Sequence, residues 1–345
     1  MATTEPFTPT SLGASGLKVS KLWLGTMMFG DQTSEAEAAS IVAATRDAGI
    51  NAIDTADVYA GGESERITGR LIAADRERWV LATKLGNVTG PLANERGLSR
   101  LHMVRALDAS LSRLGTDWVD ILYLHREDET TPLEETVAAM KHLQGTGKVH
   151  YFGVSNFRAW RVARLAEMCR AAGMPPPIVC QPPYNAMSRV IETELLPCCA
   201  HYGIGVVAYS PFARGVLSGK YAAGVAPPEG SRAARNDKRI MQTEFRPESL
   251  ALAARVVAHA KLRGMTPMQF ALGWVWNNAL VNGLIGGPKT LAQWQDYLGA
   301  IDSPFSTEDE AFVSGLVATG HASTAGYNDP AYPVVGRVAR NFSAA

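Results

Sequence analysis

Eight short apolar runs recur along the 345-residue chain, most of them followed by a stretch of helical periodicity. They are Leu22–Leu24, Ala52–Asp54, Trp79–Lys84, Val119–His125, Val149–Ser155, Ile178–Gln181, Ile204–Ser210 and Leu284–Gly286. The segments between them carry apolar residues three and four apart, as in Leu101, Val104, Leu107, Leu111 and Leu114. That spacing is the stripe of a helix resting on a core. Buried strands joined through helices lie parallel, and eight such units close into a (β/α)8 TIM barrel. The expected fold is therefore α/β, with one barrel domain over residues 1–345. Residues 11–20 read as a small hairpin ahead of the first unit and residues 1–10 as disordered. Residues 212–247 read as a long loop at the mouth, and residues 318–345 as an irregular tail.

Punctuation agrees with this division. Ser34 with Glu37 reads as a capping box, in which the hydroxyl accepts a backbone N–H and the carboxylate reaches back. Thr290 with Gln293 has the same form, and Thr131-Pro132 puts proline at a first helical position. Gly49, Gly115, Gly147 and Gly203 each follow a helical stretch, where a left-handed residue ends a helix at little cost.

Charge narrows the function. Lys and Arg total 33 and Asp and Glu total 33, so no net charge draws the chain to nucleic acid or an anionic membrane. There is no apolar run long enough for a membrane span and no signal-peptide pattern. Cys169, Cys180, Cys198 and Cys199 form neither a disulfide framework nor a metal motif, and the histidines add no metal spacing. A cytoplasmic protein without metal is expected, its oligomeric state left open. Gly203-Ile-Gly205-Val-Val-Ala208 imitates a dinucleotide fingerprint but precedes a strand instead of following one.

In a closed barrel, chemistry gathers at the carboxyl ends of the strands. Those ends here are Asp54, Lys84, His125, Ser155-Asn156, Gln181 and Tyr209-Ser210, with Tyr59 in the loop just after Asp54. The first three come from consecutive strands and should meet. An ammonium beside a phenol lowers the phenol's pKa. Asp54 would hold Lys84, Lys84 would tune Tyr59, and Tyr59 would give a proton to a carbonyl oxygen. His125 would orient that carbonyl or share the proton. Met28, Phe29 and Arg126, which follow other strands, are candidates to line the substrate pocket. The Arg232–Arg239 run reads as a solvated loop face, or else as a lid over cofactor phosphates.

The segments Asp54-Thr-Ala-Asp-Val-Tyr59, Val80-Leu-Ala-Thr-Lys84 and Ile121-Leu-Tyr-Leu-His125 resemble the catalytic signatures of the aldo-keto reductase superfamily. Gly153-Val-Ser-Asn-Phe157 and Tyr209-Ser-Pro-Phe-Ala-Arg-Gly-Val-Leu-Ser-Gly219 are similar to its cofactor motifs. The likeness runs from about residue 11 to about residue 300. It implies a barrel that reduces a carbonyl with NADPH laid across its mouth, NADPH being expected over NADH. Tyr59 would be the general acid, with Asp54, Lys84 and His125 around it. Ser155, Asn156 and Gln181 would hold the nicotinamide amide, and Tyr209 would stack on its ring. Gly25, Thr26 and Met27 would touch cofactor from the first loop, and Ser210, Gly215, Leu217 and Gly219 would line the pyrophosphate path. Lys289 and Thr290 would take the 2′-phosphate, with Gln293 beside them. Tyr297, standing where the family usually has asparagine, would flank the adenine. The carbonyl could be an aldehyde, a ketone, a sugar derivative or a ketosteroid-like compound. The alternative is an NADPH-binding redox-sensing regulatory subunit, similar to potassium-channel β subunits.

Overall fold

The computed structural model describes residues 7–301 and 303–333. An antiparallel hairpin, β1 (Thr10–Ser11) and β2 (Lys18–Val19), comes first. Eight parallel strands follow: β3 (Leu22–Gly25), β4 (Ala52–Asp54), β5 (Val80–Leu85), β6 (Val119–Leu124), β7 (Val149–Ser155), β8 (Val179–Gln181), β9 (Gly205–Ala208) and β10 (Gly283–Gly286). Each pairs with the next, and β10 returns to β3 through Leu284↔Leu22, Ile285↔Trp23 and Gly286↔Leu24. The sheet is a closed barrel with helices around it, as the repeating pattern predicts.

Side chains alternate across each strand, and the alternation makes two apolar layers. Leu22, Leu24, Ile53, Leu81, Leu122, Leu124, Phe152 and Val154 face outward, in one cluster with residues of helices such as Arg100–Leu114 and Leu133–Gly145. Trp23, Ala52, Val80, Ala82, Ile121, Tyr123, Val179, Val207 and Ile285 fill the inside. Continuing the inner row toward the carboxyl end replaces apolar residues by polar ones. Ala52 is followed by Asp54, Ala82 by Lys84, Tyr123 by His125, Val179 by Gln181 and Val207 by Tyr209. Gly153 of β7 also lies inside, and a Cβ there would stand 2.6 Å from the Tyr123 ring. Glycine at that position lets Tyr123 lie flat beneath the site.

Buried Leu12 and Val19 of the hairpin join this inner layer, and the Ala14 N–H donates to the Gly203 carbonyl at 2.8 Å. The hairpin thereby closes the amino end of the barrel. It begins at Thr10, so the expected disorder over 1–10 fails at that residue, and residues 1–6 lie outside the described residues.

Three details depart from the sequence reading. Ser34 does cap its helix, but Glu37 does not reach back; its Oε1 accepts the Leu291 N–H at the start of the last barrel helix. Pro132 is the N-cap of the helix Leu133–Gly145, one position before its first turn. Two helices, Pro247–Leu262 and Pro267–Trp276, precede β10.

The long loop holds a turn at Ala213–Ser218 and a short helix, Lys238–Gln242. The tail is irregular but anchored. Arg239 grips Asp329 with two hydrogen bonds of 2.9 and 2.6 Å, and Arg246 lies 3.7 Å above the Tyr327 ring. Residues 334–345 of the predicted tail lie outside the described residues. Among the described residues no helix is long and apolar enough to cross a membrane.

Candidate active site

The inner row of polar residues converges at the carboxyl end. Lys84 is fully buried, and its ammonium pairs with Asp54 Oδ1 and donates to the Thr55 carbonyl at 2.8 Å. Its third direction is the Tyr59 hydroxyl, 3.4 Å away. Gln181 Nε2 donates to the other Asp54 oxygen at 2.8 Å, so both carboxylate oxygens are engaged. Beneath them Lys84 Nζ lies 5.8 Å from the centre of the Tyr123 ring. The His125 ring stands edge-on to Tyr59, with centroids 6.0 Å apart, and its Nδ1 has no partner among the described residues. The four residues expected from strand order are therefore together.

Electrostatics refine the expectation. Burial alone would pull the Lys84 ammonium down, but the Asp54 carboxylate and the Tyr59 hydroxyl more than offset it and hold Lys84 above its ordinary range. Burial raises Tyr59 above the usual phenol value; Lys84 pulls it back only in part, and Asp54 opposes Lys84. The expected lowering of this phenol is thus not the net result. Desolvation of the phenolate outweighs one neighbouring cation when that cation is already paired. His125 is held well below its ordinary pKa by burial and by the charges of Lys84 and Arg126, so the imidazole is neutral at pH 7.

A second group borders the first. Ser155 Oγ donates to the Gln181 carbonyl at 2.8 Å. Asn156 adopts a left-handed backbone, φ 58°, and its Nδ2 donates to the His125 carbonyl at 2.9 Å. The Tyr209 hydroxyl donates to Asn156 Oδ1 at 2.8 Å. These amides also brace the site: Gln181 holds Asp54, and Asn156 ties β7 to the loop after β6 and to Tyr209. Ser210 follows Tyr209 with φ 57°, and Gly215 and Gly219 have φ of 99° and 81°, turning the chain through the loop. Leu217 between them is fully buried.

Cations cluster along the neighbouring rim. Lys289 is drawn down to about 8 by burial and by the charges of Arg235, Arg232 and Lys220, with Asp31 acting the other way. Arg232 is lowered as well, by burial first and with Arg214 and Arg235 among its neighbours. Among the described residues none of Lys220, Arg232, Arg235 and Lys289 has a carboxylate within ion-pair distance. The Arg232–Arg239 run is thus more than a solvated face. Arg239 is spent on Asp329, while the charges of Arg232 and Arg235 act on Lys289.

Other residues expected at the cofactor make contacts within the protein. Thr290 caps its helix by accepting the Gln293 N–H at 3.3 Å, and Gln293 Oε1 accepts the Lys289 N–H at 2.9 Å. Tyr297 is buried, its ring packed against Phe212 and Trp294 at centroid distances of 4.9 and 5.7 Å. It fills space against Gly286; the glycine standing where the family has proline leaves that room. Gly25 is pressed against Ile285 and Gly286, and Thr26 is fully buried with its hydroxyl shared with Ser64 at 2.9 Å. Met28 and Phe29 are buried in the same turn, Phe29 within the outer core, so neither walls a pocket. Met27 alone of the three is exposed. Arg126 is exposed at the mouth, 5.6 Å from the centre of the Tyr332 ring.

Within the tail, Tyr332 was not singled out from the sequence. The Tyr332 phenol bears on both Tyr59 and Tyr209, so the tail reaches the site itself. No local pattern marks it. Tyr123 was findable, since it shares a strand face with His125 two residues on. A cavity of about 650 Å³ lined by Asp108, Trp118, Lys148 and His150 opens at the opposite, amino end of the barrel and contains none of these residues.

A parallel eight-stranded barrel with an Asp–Lys–Tyr–His set at its carboxyl mouth defines a class, and sequence comparison agrees. A model of the Aldo/keto reductase family matches residues 21–317, and the chain belongs to that family. Among its relatives, a protein of Arabidopsis thaliana named "Probable voltage-gated potassium channel subunit beta" is 39% identical over 297 residues, 85% of this chain and 90% of the relative. A protein of the same name from Oryza sativa subsp. japonica is 38% identical over 298 residues, again 85% of this chain and 90% of the relative.

Proposed function

We propose that this protein reduces an aldehyde or ketone to an alcohol with NADPH, Tyr59 giving the proton. The observation that carries the reading is the hydrogen-bonded line from Asp54 through Lys84 to Tyr59, with a neutral His125 edge-on beside the phenol. NADPH, when bound, supplies the hydride. Tyr59 keeps its proton until a carbonyl oxygen becomes basic, because burial makes the phenolate costly. Lys84 is already charged and fixed, so it steadies the negative charge that develops on the phenol oxygen without rearranging. Asp54, Thr55 and Gln181 hold the ammonium in place, and His125 orients the carbonyl oxygen by hydrogen bonding.

The rim fits the cofactor. Four cations without carboxylates beside the start of the last barrel helix suit a phosphate-bearing ligand, for which a helix N-terminus adds free N–H groups. Lys289, Arg232, Arg235 and Lys220 would hold the phosphates, and Ser155, Asn156 and Tyr209 the nicotinamide end. Steady-state turnover of an activated aromatic aldehyde, followed through cofactor absorbance, tests the reading; no turnover across a panel of aldehydes and ketones sinks it.

The relatives' names favour a second reading, a β subunit of a voltage-gated potassium channel. Co-purification with a channel's cytoplasmic portion tests it. The two readings separate if one measurement succeeds without the other.

A further inference from the structure

Asp57, one carboxyl beside the site, belongs to none of these networks. It lies on the turn after β4, between Asp54 and Tyr59, and its backbone N–H donates to the Lys84 carbonyl at 3.1 Å. Its side chain is buried, and among the described residues neither carboxylate oxygen has a side-chain hydrogen-bond partner. Glu65 faces it from the helix Glu63–Ile72, Arg113 from the helix Arg100–Leu114 and Lys84 from β5. Glu65 is buried as well, and it takes both available donors: Thr83 Oγ1 at 2.6 Å and Arg113 Nε at 2.6 Å. Arg113 Nη2 goes to Ser110 at 3.1 Å. The one guanidinium beside two buried carboxyls bonds Glu65, and Asp57 is left without a side-chain donor.

The consequence is a proton that comes and goes near neutrality. Burial, then the charge of Glu65, push the Asp57 carboxyl up to about 7, while Arg113, the Val58 backbone N–H and Lys84 pull the other way. A buried carboxyl that no side chain bonds calls for an explanation, and carboxyls poised near neutrality gather at functional sites.

We propose that Asp57 is a positioning residue whose charge, only partly offset by Arg113, acts through Lys84 to set the pH at which Tyr59 gives up its proton. The inference rests on Tyr59 as proton donor. Charged, Asp57 reinforces the Lys84 ammonium and opposes a phenolate on Tyr59. Protonated, it does neither, and donation is favoured on the acid side of neutrality.

Asp57→Asn keeps the shape and removes the charge. Ultraviolet absorption of the Tyr59 phenolate reads the effect without turnover, as the difference between titrations with and without Tyr59→Phe. In Asp57→Asn the phenolate should form about one pH unit lower than in the wild type, the size expected for losing one nearby charge. The alkaline limb of kcat should move the same way, and Asp57→Glu should restore both. Should the amide prevent folding, Asp57→Val carries the same expectation. Phenolate titrations that superimpose on the wild type overturn the proposal. A phenolate that moves in a protein with no carbonyl turnover overturns the reductase reading and leaves the linkage of Asp57 to Tyr59 standing.

Discussion

Two lysines at the barrel mouth, Lys84 and Lys289, are perturbed in opposite directions. Lys84 is fully buried, yet Asp54, the Thr55 carbonyl and Tyr59 hold it above its ordinary range. Lys289 is only half-buried, yet burial and three neighbouring cations draw it down to about 8. Burial alone would order them the other way. The difference lies in where the counter-charge comes from. The partners of Lys84 are built into the chain, so its charge is ready before any ligand arrives. Those of Lys289 are cations, a clustering that raises free energy until an anion relieves it. On the proposed function one lysine belongs to a preformed reaction centre and the other to a binding surface, and four measurements bear on that contrast.

The largest effect is expected at the phenol that Lys84 supports. Tyr59→Phe should lower kcat by about 10²–10⁴-fold, the usual value of a general acid, while fluorescence titration finds NADPH affinity nearly intact. Retention of more than about a tenth of wild-type kcat would break the assignment of the reaction centre.

Next comes Lys84→Met, which leaves Asp54 as a buried charge without its cation. Stability should fall by about 3–5 kcal/mol, the range for breaking a buried pair, and activity with it. Acid should narrow the gap in Tm between variant and wild type. Burial raises the Asp54 carboxyl, and in the variant no ammonium opposes it, so falling pH protonates Asp54 and removes the unpaired charge. A gap that stays constant with pH would mean that the ion pair is not the source of the loss.

Lys289→Ala should do the reverse, sparing kcat and stability but weakening NADPH by at least about tenfold. A charge-assisted contact is worth about 1.5–3 kcal/mol. NADH should bind nearly as before. Equal weakening of both cofactors would move the 2′-phosphate to Arg232 and Arg235.

The smallest effect is a pH trend. Lys289 loses its proton as pH rises through about 8, so the preference for NADPH over NADH should shrink from about pH 7 to about pH 9. A bound phosphate holds the proton longer, which limits the change to a few-fold. A preference that does not change over that range would mean that another cation carries the discrimination.

Much of this was legible because it is local or periodic. Strand alternation carries Ala52 to Asp54, Ala82 to Lys84 and Tyr123 to His125, so the inner polar row follows from the fold. What failed depends on where the chain returns. Met28 and Phe29 follow a strand as pocket residues would, but their turn folds back into the core, with backbone N–H groups from Phe29 to Thr33 bonding within it. Glu37 sits at capping distance from Ser34, yet the Leu291 N–H, remote in sequence, claims it. Tyr297 reads as a ligand contact, and the packing of Phe212 and Trp294 around it could not be foreseen. The orphaned Asp57 could not be read at all. Its state is set by which of two carboxyls Arg113 chooses, a competition between residues of different elements.

The seam between β10 and β3 bears on how the protein comes into being. The strand that opens the barrel finds one of its two neighbours only when the strand that closes it has been made. Until then Leu22, Trp23 and Leu24 present an unpaired edge, the kind of surface on which chains aggregate. Folding that waits on so distant a partner is slow. The first hairpin helps in the meantime, since Leu12 and Val19 join Trp23 in one cluster early in the chain. A growing chain lacking β10 should therefore depend on chaperones far more than the finished one.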